Sequence, residues 1–172
     1  DHRDLHSFPT RRSSDLKGYH GFETVFDTSV TLEDDLKRRD LTMNSLAREV
    51  LSFNDEGHAK LDDTIIDNFN GVNDLLNGII RHTSRAFEED PVRVLRAARF
   101  AARYDFEIHI DTFDVMKWMV RDGELDHLTP ERVWQEFEKA STQPNMHDFL
   151  QVLDAVGALK VIAPELSQPA CL

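Results

Sequence analysis

The stretch from Asp90 to Tyr104 constrains the fold of this chain more than any other. Asp90-Pro91 is a helix start: a carboxylate can cap the first free N–H groups, and proline at the first helical position loses no hydrogen bond. The text that follows, Val92-Arg-Val-Leu-Arg-Ala-Ala-Arg-Phe-Ala-Ala-Arg-Tyr104, holds neither Gly nor Pro, and the spacing predicts a helix to about Tyr104. On that helix Arg93, Arg96, Arg99 and Arg103 are spaced three, three and four apart. At roughly 100° per residue they fall within about 120° of one face. Ala97, Ala98, Phe100, Ala101 and Ala102 make up the remainder, which is mostly small enough for close packing.

On either side of this helix the text differs. Before it, Phe22 to Phe26 alternates as a strand, and Thr31-Leu-Glu-Asp34 has capping-box spacing for a short helix to Arg38. Met43 to Phe53 and Thr64 to Phe69 read as strands around the Asn54-Asp-Glu-Gly57 turn, and Ile79 to His82 as a short further strand. After it come helices over Asp111–Arg121, Pro130 to about Ala140, and roughly Asn145–Val156, which Gly157 stops. The fold class is therefore α+β, a mixed first half and an all-helical second half, with the boundary near Ser84–Glu88. Residues 1–16 show no helical or strand period, and Phe8 to Leu16 resembles a translated adapter sequence. They are read as non-native and disordered, contributing no strand.

At 172 residues the chain is one domain or two small pieces of larger ones. Its net charge of −12 excludes a surface coated in positive charge for nucleic acid, though not a local basic patch. No apolar run approaches the roughly 18 residues of a membrane helix, and no signal-peptide pattern is present. One cysteine, Cys171, rules out an internal disulfide and suits a reducing cytosol. The eight histidines lack metal-ligand spacing. Trp118 and Trp134, with Phe113 and Phe137, sit at helical spacing and read as core; Glu33-Asp34-Asp35 and Asp62-Asp63 read as solvated acids.

Three groups of residues carry chemistry. Glu89-Asp90-x-x-Arg93 sets a carboxylate and a guanidinium on the first turn of the helix. Cytosine and adenine each present an amino donor beside a ring-nitrogen acceptor, so this pair would satisfy them and leave uracil and guanine unmatched. An N-capping Asp with an i,i+3 salt bridge explains the same residues without a ligand. Arg38-Arg39-Asp40, running into Thr42-Met-Asn44-Ser-Leu-Ala47, suits a triphosphate and ribose hydroxyls; a solvated helix end would explain its charges alone. Asp67-Asn-Phe-Asn-Gly71 is a turn in which Gly permits a left-handed backbone, either a hinge or a plain hairpin. The arginine stripe suits RNA backbone, but a solvated, salt-bridged face is the simpler reading from composition.

Taken in order, these segments resemble the class II tRNA nucleotidyltransferases, the CCA-adding enzymes, most closely the bacterial forms. Leu36 to Ala47 is similar to the family's ribose-recognition motif, Asp67 to Arg81 to its hinge motif, Glu89 to Ala102 to its base-selecting motif, and Leu128-Thr-Pro-Glu-Arg-Val-Trp-Gln-Glu136 to its last motif. The likeness runs from about Lys17 to Leu166. It implies a partial nucleotidyltransferase head over 17–86 and a helical, RNA- and nucleotide-binding neck over 87–172, in a cytoplasmic enzyme acting on tRNA with CTP and ATP. It implies a nucleotide site of Arg39, Asp40, Asn44, Glu89, Asp90, Arg93 and Arg96, with Asp40 on the ribose and Glu89 orienting the base-reading pair. Arg99 and Arg103 would face the tRNA backbone.

Two departures stand out. Ser45 replaces the family's usual Ala. The family's chemistry is Mg²⁺-assisted transfer on paired carboxylates, and no Asp-x-Asp motif precedes the Lys17 segment, so no catalytic or metal-binding residue is assigned and the chain as given is expected not to transfer nucleotides. A poly(A) polymerase of the same superfamily and a non-catalytic RNA- or nucleotide-binding module are the alternatives.

Overall fold

The computed structural model of the chain describes the backbone of residues 9–13 and 22–26 and the whole of residues 30–167; Cys171 lies outside them. β1 (Pro9–Ser13) corrects the sequence reading, because it falls in the stretch expected to hold no strand. It pairs antiparallel with β2 (Phe22–Phe26), Pro9 opposite Phe26 and Ser13 opposite Phe22. The ladder is made by backbone groups and needs no side-chain period, and proline stands at the first strand position, where it is tolerated.

Helix α1 (Leu32–Lys37) opens on the expected capping box: Thr31 Oγ1 accepts the Asp34 N–H at 3.2 Å while Asp34 Oδ2 accepts the Thr31 N–H at 3.1 Å. A 3-10 turn at Thr42–Asn44 follows. β3 (Val50–Phe53) and β4 (Ala59–Leu61) then form a hairpin whose second arm comes earlier than the expected Thr64–Phe69. Asn54 explains the early return, since its side chain accepts the N–H groups of Glu56 and His58 at 3.1 and 2.8 Å and closes the turn at once. Thr64–Phe69 retains only a bridge between Ala47 and Ile66.

The unanticipated helix α2 (Gly71–Leu76) is capped from a distance by Asp67, whose carboxylate accepts the Gly71 and Val72 N–H groups at 2.8 and 2.9 Å. The left-handed residue here is Asn70, with φ of 62°, rather than Gly71. Gly71 serves close approach instead: a Cβ on it would lie 2.2 Å from the Thr42 carbonyl oxygen.

β5 (Ile79–Ile80) leads through a 3-10 turn at Arg85–Glu89 to α3 (Val92–Tyr104). Asp105, left-handed with φ of 56°, ends α3 and turns the chain so that β6 (Glu107–Ile108) pairs in parallel with β5. The second half is therefore not wholly helical, and its short strand completes a sheet begun in the first half. α4 (Ile110–Arg121), α5 (Pro130–Ser141) and α6 (Met146–Ala155) lie within a residue or so of expectation. A further helix, α7 (Ala158–Ile162), follows Gly157.

One core joins the two halves. Val94, Leu95, Ala97 and Ala98 of α3 are buried with Met116, Met119, Phe149, Leu153 and Leu159, and the cluster reaches Leu41, Ile80 and Phe87. The alanine face of α3 packs on α6, and Asn145 Nδ2 donates to the Ala102 carbonyl at 3.0 Å across that contact. Trp118 and Trp134 are exposed, contrary to expectation. On α5 the inward stripe is Val133, Phe137 and Ala140, and Trp134 is rotated about 100° away from it. Phe113 and Phe137 do pack on the core.

Candidate functional site

The end of α1, the Arg39–Asn44 segment, the first turns of α3 and one face of α5 enclose a cleft of about 750 Å³. Six cationic and four acidic side chains line it, a positive balance in a chain of net charge −12. Such a cleft favours an anionic ligand.

The cleft's first wall is built on carboxylates. Asp35 is buried rather than solvated as expected; it accepts from Arg38 Nε at 3.0 Å and pairs with Arg39 at 3.2 Å. Asp40 is equally buried, with Oδ1 accepting the Leu41 N–H at 2.9 Å and Asn44 Nδ2 at 3.0 Å. Its Oδ2 accepts from Arg96 Nε at 2.7 Å and lies 2.6 Å from Arg96 Nη2 in an ion pair. Arg39 also donates to the Asn44 carbonyl at 3.1 Å. Ser45 costs the wall nothing: its hydroxyl donates to the Leu41 carbonyl at 3.0 Å and accepts from Thr83 at 2.8 Å.

The second wall is the start of α3. Asp90 caps the helix as expected, Oδ1 accepting the Val92 N–H at 3.2 Å. Its Oδ2, however, pairs with Arg132 of α5 at 2.9 Å, and the simple i,i+3 bridge to Arg93 is replaced by longer-range contacts. Arg93 Nη1 donates to the Ala86 carbonyl at 2.6 Å and Nη2 to the Arg38 carbonyl at 2.8 Å. Burial lowers its pKa while Asp90, Asp40 and Glu89 oppose the shift, and a guanidinium in this setting keeps its charge. Asp90 and Arg93 thus line one cleft with spare acceptor and donor capacity.

Three expected residues stand elsewhere. Glu89 is exposed and outside the cleft lining, so the group that orients Asp90 is Arg132. Arg99 is buried, donating to Glu136 Oε2 at 2.6 Å with its guanidinium 4.4 Å from the Phe100 ring centre, and offers nothing to a nucleic-acid backbone. Burial alone would raise the Glu136 pKa, but hydrogen bonds from Lys139 and Arg99 outweigh it and hold the carboxyl below its usual range. Arg103 is exposed, as a backbone contact requires. Arg132 and Glu136 are the partners that sequence reasoning missed. Their spacing of four in the Leu128–Glu136 motif, which puts both on one helix face, was the available signal.

The described residues do not fit the Mg²⁺ that the resemblance implies. Among the described residues, no group of three or more His, Cys, Asp or Glu side chains is arranged to hold a metal ion. Asp40 and Asp90 are each engaged by an arginine. No helix among them is long and apolar enough to cross a membrane.

Comparison with known proteins gives this cleft a context. The sequence pattern of the Poly A polymerase head domain matches residues 2–81, which takes in the N-terminal stretch set aside above. That of the probable RNA and SrmB-binding site of polymerase A matches residues 105–168. Multifunctional CCA proteins of Neisseria meningitidis serogroups A and B are 51% identical over 151 residues, covering 88% of this chain and 34% of theirs. The chain therefore spans about a third of the length of these relatives. Among solved structures, a CCA-adding enzyme with CTP is 35% identical with a TM-score of 0.66, covering 78% of this chain and 31% of that one. The Thermotoga maritima CCA-adding enzyme complexed with tRNA-CCA is 34% identical with a TM-score of 0.65 over the same shares. With head and RNA-binding patterns in the expected order and relatives of this kind, the chain belongs to the class II tRNA nucleotidyltransferase family.

Proposed function

We propose that the cleft is the nucleotide site of an enzyme that adds CCA to tRNA 3′ ends from CTP and ATP in the cytoplasm. Residues 17–86 supply part of the head and residues 87–172 the neck. Mg²⁺ belongs to the complete enzyme, and no step through it is derived from the residues here. The observation that carries the reading is the convergence of Asp90 and Arg93 on the same net-cationic cleft as Arg39, Asp40 and Asn44. Asp90 accepts the exocyclic amino group of cytosine or adenine and Arg93 donates to the ring nitrogen, so the protein reads the base without a nucleic-acid template. Glu89 adds negative charge near the pair from outside the cleft, and Arg103 meets the tRNA backbone.

The test is equilibrium titration of the 172-residue chain with each of the four ribonucleoside triphosphates. CTP and ATP should bind at least about tenfold more tightly than UTP and GTP, since a mismatched edge leaves the pair unsatisfied. Equal affinity for all four would overturn the reading. Both matched family patterns carry a poly A polymerase name, which keeps that activity as the second reading. Binding of ATP with rejection of CTP would select it.

A further inference from the structure

Beyond the cleft, α3 carries an aromatic face that the nucleotide site does not use. Phe100 lines the cleft, packs against the buried core and lies with its ring centre 4.4 Å from the Arg99 guanidinium. Tyr104, four residues on, stacks on Phe100 with ring centres 6.1 Å apart and planes 4° from parallel. Phe106 braces Tyr104 from a tilted position at 5.6 Å. With both aromatic neighbours in place, Tyr104 still keeps 41% of its surface in solvent. The exposed Arg103 guanidinium sits over its ring at 5.2 Å.

We infer that Tyr104, with Arg103 beside it, is a stacking platform for an unpaired base of single-stranded RNA at the outer edge of the cleft. This rests on the cleft being a nucleotide site. A cation on an aromatic ring, continuous with a net-cationic cleft in a chain of net charge −12, complements a polyanion that carries bases better than it complements an apolar surface. An exposed cation–π contact is weaker than a base stacked on an aromatic ring. The base therefore takes the place of Arg103 over Tyr104, and the freed guanidinium turns to the adjoining phosphate. Double-stranded RNA keeps its bases stacked on one another and has none to offer, so the platform selects single strands. Tyr104 stands about 6 Å along the helix from Phe100, which leaves room for about one or two stacked nucleotides before the cleft. Asp105 and Glu107 follow, both exposed, and their carboxylates repel a backbone carried farther in that direction.

The experiment titrates the 172-residue chain with a fluorescein-labelled single-stranded RNA octamer, with the same octamer lacking its bases, and with an RNA duplex. Tyr104→Leu should lose about tenfold or more in affinity for the octamer, and Tyr104→Phe should keep the parental value. Neither should change binding of the abasic chain or the duplex. The salt slope of octamer affinity should be the same in Tyr104→Leu as in the parent, whereas Arg103→Gln should lower it by about 0.7. Unchanged octamer affinity in Tyr104→Leu would overturn the inference, and so would an equal loss for the octamer and the abasic chain. A second measurement needs no variant: the Tyr104 ring-proton resonances should move on adding the octamer and stay in place on adding the abasic chain. Resonances that ignore the octamer would overturn the platform. CTP affinity should be the same in Tyr104→Leu as in the parent. Octamer binding that depends on Tyr104, in a chain that does not discriminate among the four triphosphates, would uphold the platform and overturn the nucleotide reading of the cleft.

Discussion

Arg99 and Arg103 stand one turn apart on α3 in opposite environments, one buried in an ion pair and one exposed, and a single pair of substitutions separates them. Arg99 shares a buried ion pair with Glu136, the two side chains 8% and 5% exposed. Removing one member of such a pair costs about 3–5 kcal/mol, because the other charge stays desolvated. Here Lys139 still reaches Glu136 Oε1 at 2.8 Å from a half-exposed position, so Arg99→Ala belongs near the lower end, about 3 kcal/mol. Arg103 lies in solvent over the Tyr104 ring, 5.2 Å from its centre, and Arg103→Ala should change stability by no more than about 0.5 kcal/mol. Urea denaturation reads that difference directly. Binding of tRNA lacking its CCA end, measured across a salt series, reads the complement. Each phosphate that the protein no longer neutralises lowers the slope of log K against log salt by about 0.7–0.9. Arg103→Ala should lower that slope and Arg99→Ala should leave it unchanged. If Arg99→Ala is as stable as the parent and reduces the salt slope, the buried pair is not what holds α5 against α3. Replacing both Arg99 and Glu136 by Met should recover most of the stability, since the cost lies in the orphaned charge.

Arg93→Ala should erode the preference for CTP over UTP more than it weakens tRNA binding, because one charge-assisted bond to the base is worth roughly 1.5–3 kcal/mol; an unchanged CTP/UTP ratio in a titration would refute the base-reading role. Gly71→Ala should destabilise the chain by about 1–3 kcal/mol by overpacking against the Thr42 carbonyl, whereas Gly57→Ala, with open space around it, should cost only the positive-φ penalty of about 1 kcal/mol; thermal melts of both would show it. Burial lowers the His82 pKa below 6.5 despite the opposing charges of Asp111 and Glu88, so the unfolded chain binds the more protons near that value. The stability this contributes is complete above pH 6.5 and is lost as pH falls through the folded pKa, and His82→Gln should flatten that part of a urea-midpoint profile.

Three of the helices after Arg85 are legible from their own boundary chemistry, Asp-Pro at 90–91 for α3, Thr-Pro at 129–130 for α5 and Gly at 157 ending α6, whereas α7 is not. Errors gathered where the deciding partner is far away in sequence. Nothing local to Pro9–Ser13 states that Phe22–Phe26 will pair with it, and nothing local to Asp105 states that the strand after it will lie along Ile79. Asp67 looked like part of a strand end because its capping targets, the Gly71 and Val72 N–H groups, lie beyond an intervening turn. The site shows the same division. Its residue types were readable from spacing, and its pairings were not. Four arginines on one face suggested one shared role, yet each meets a different environment because the helix runs past several elements in turn.

That sequence of environments is what lets α3 act as the frame of the cleft. Arg93 is tied to the Arg38 carbonyl, 55 residues away, and Arg96 to Asp40, 56 residues away, so the first two turns of α3 fix the Arg-Arg-Asp segment. Asp90 at the helix start and Arg99, about two and a half turns on, are tied to Arg132 and Glu136, so the same helix fixes α5 at two heights. Its opposite face, Ala97, Ala98, Ala101 and Ala102, is buried against α6. Side chains this small leave α3 little freedom to roll or slide without opening voids, and voids in a packed interior are costly. Asp90 and Arg93, the pair proposed to read the base, and the Asp40–Arg96 ion pair are therefore held at a fixed separation by one rigid rod, backed by α5 and α6. A substitution on the alanine face, remote from any ligand, should consequently change nucleotide affinity through both groups together.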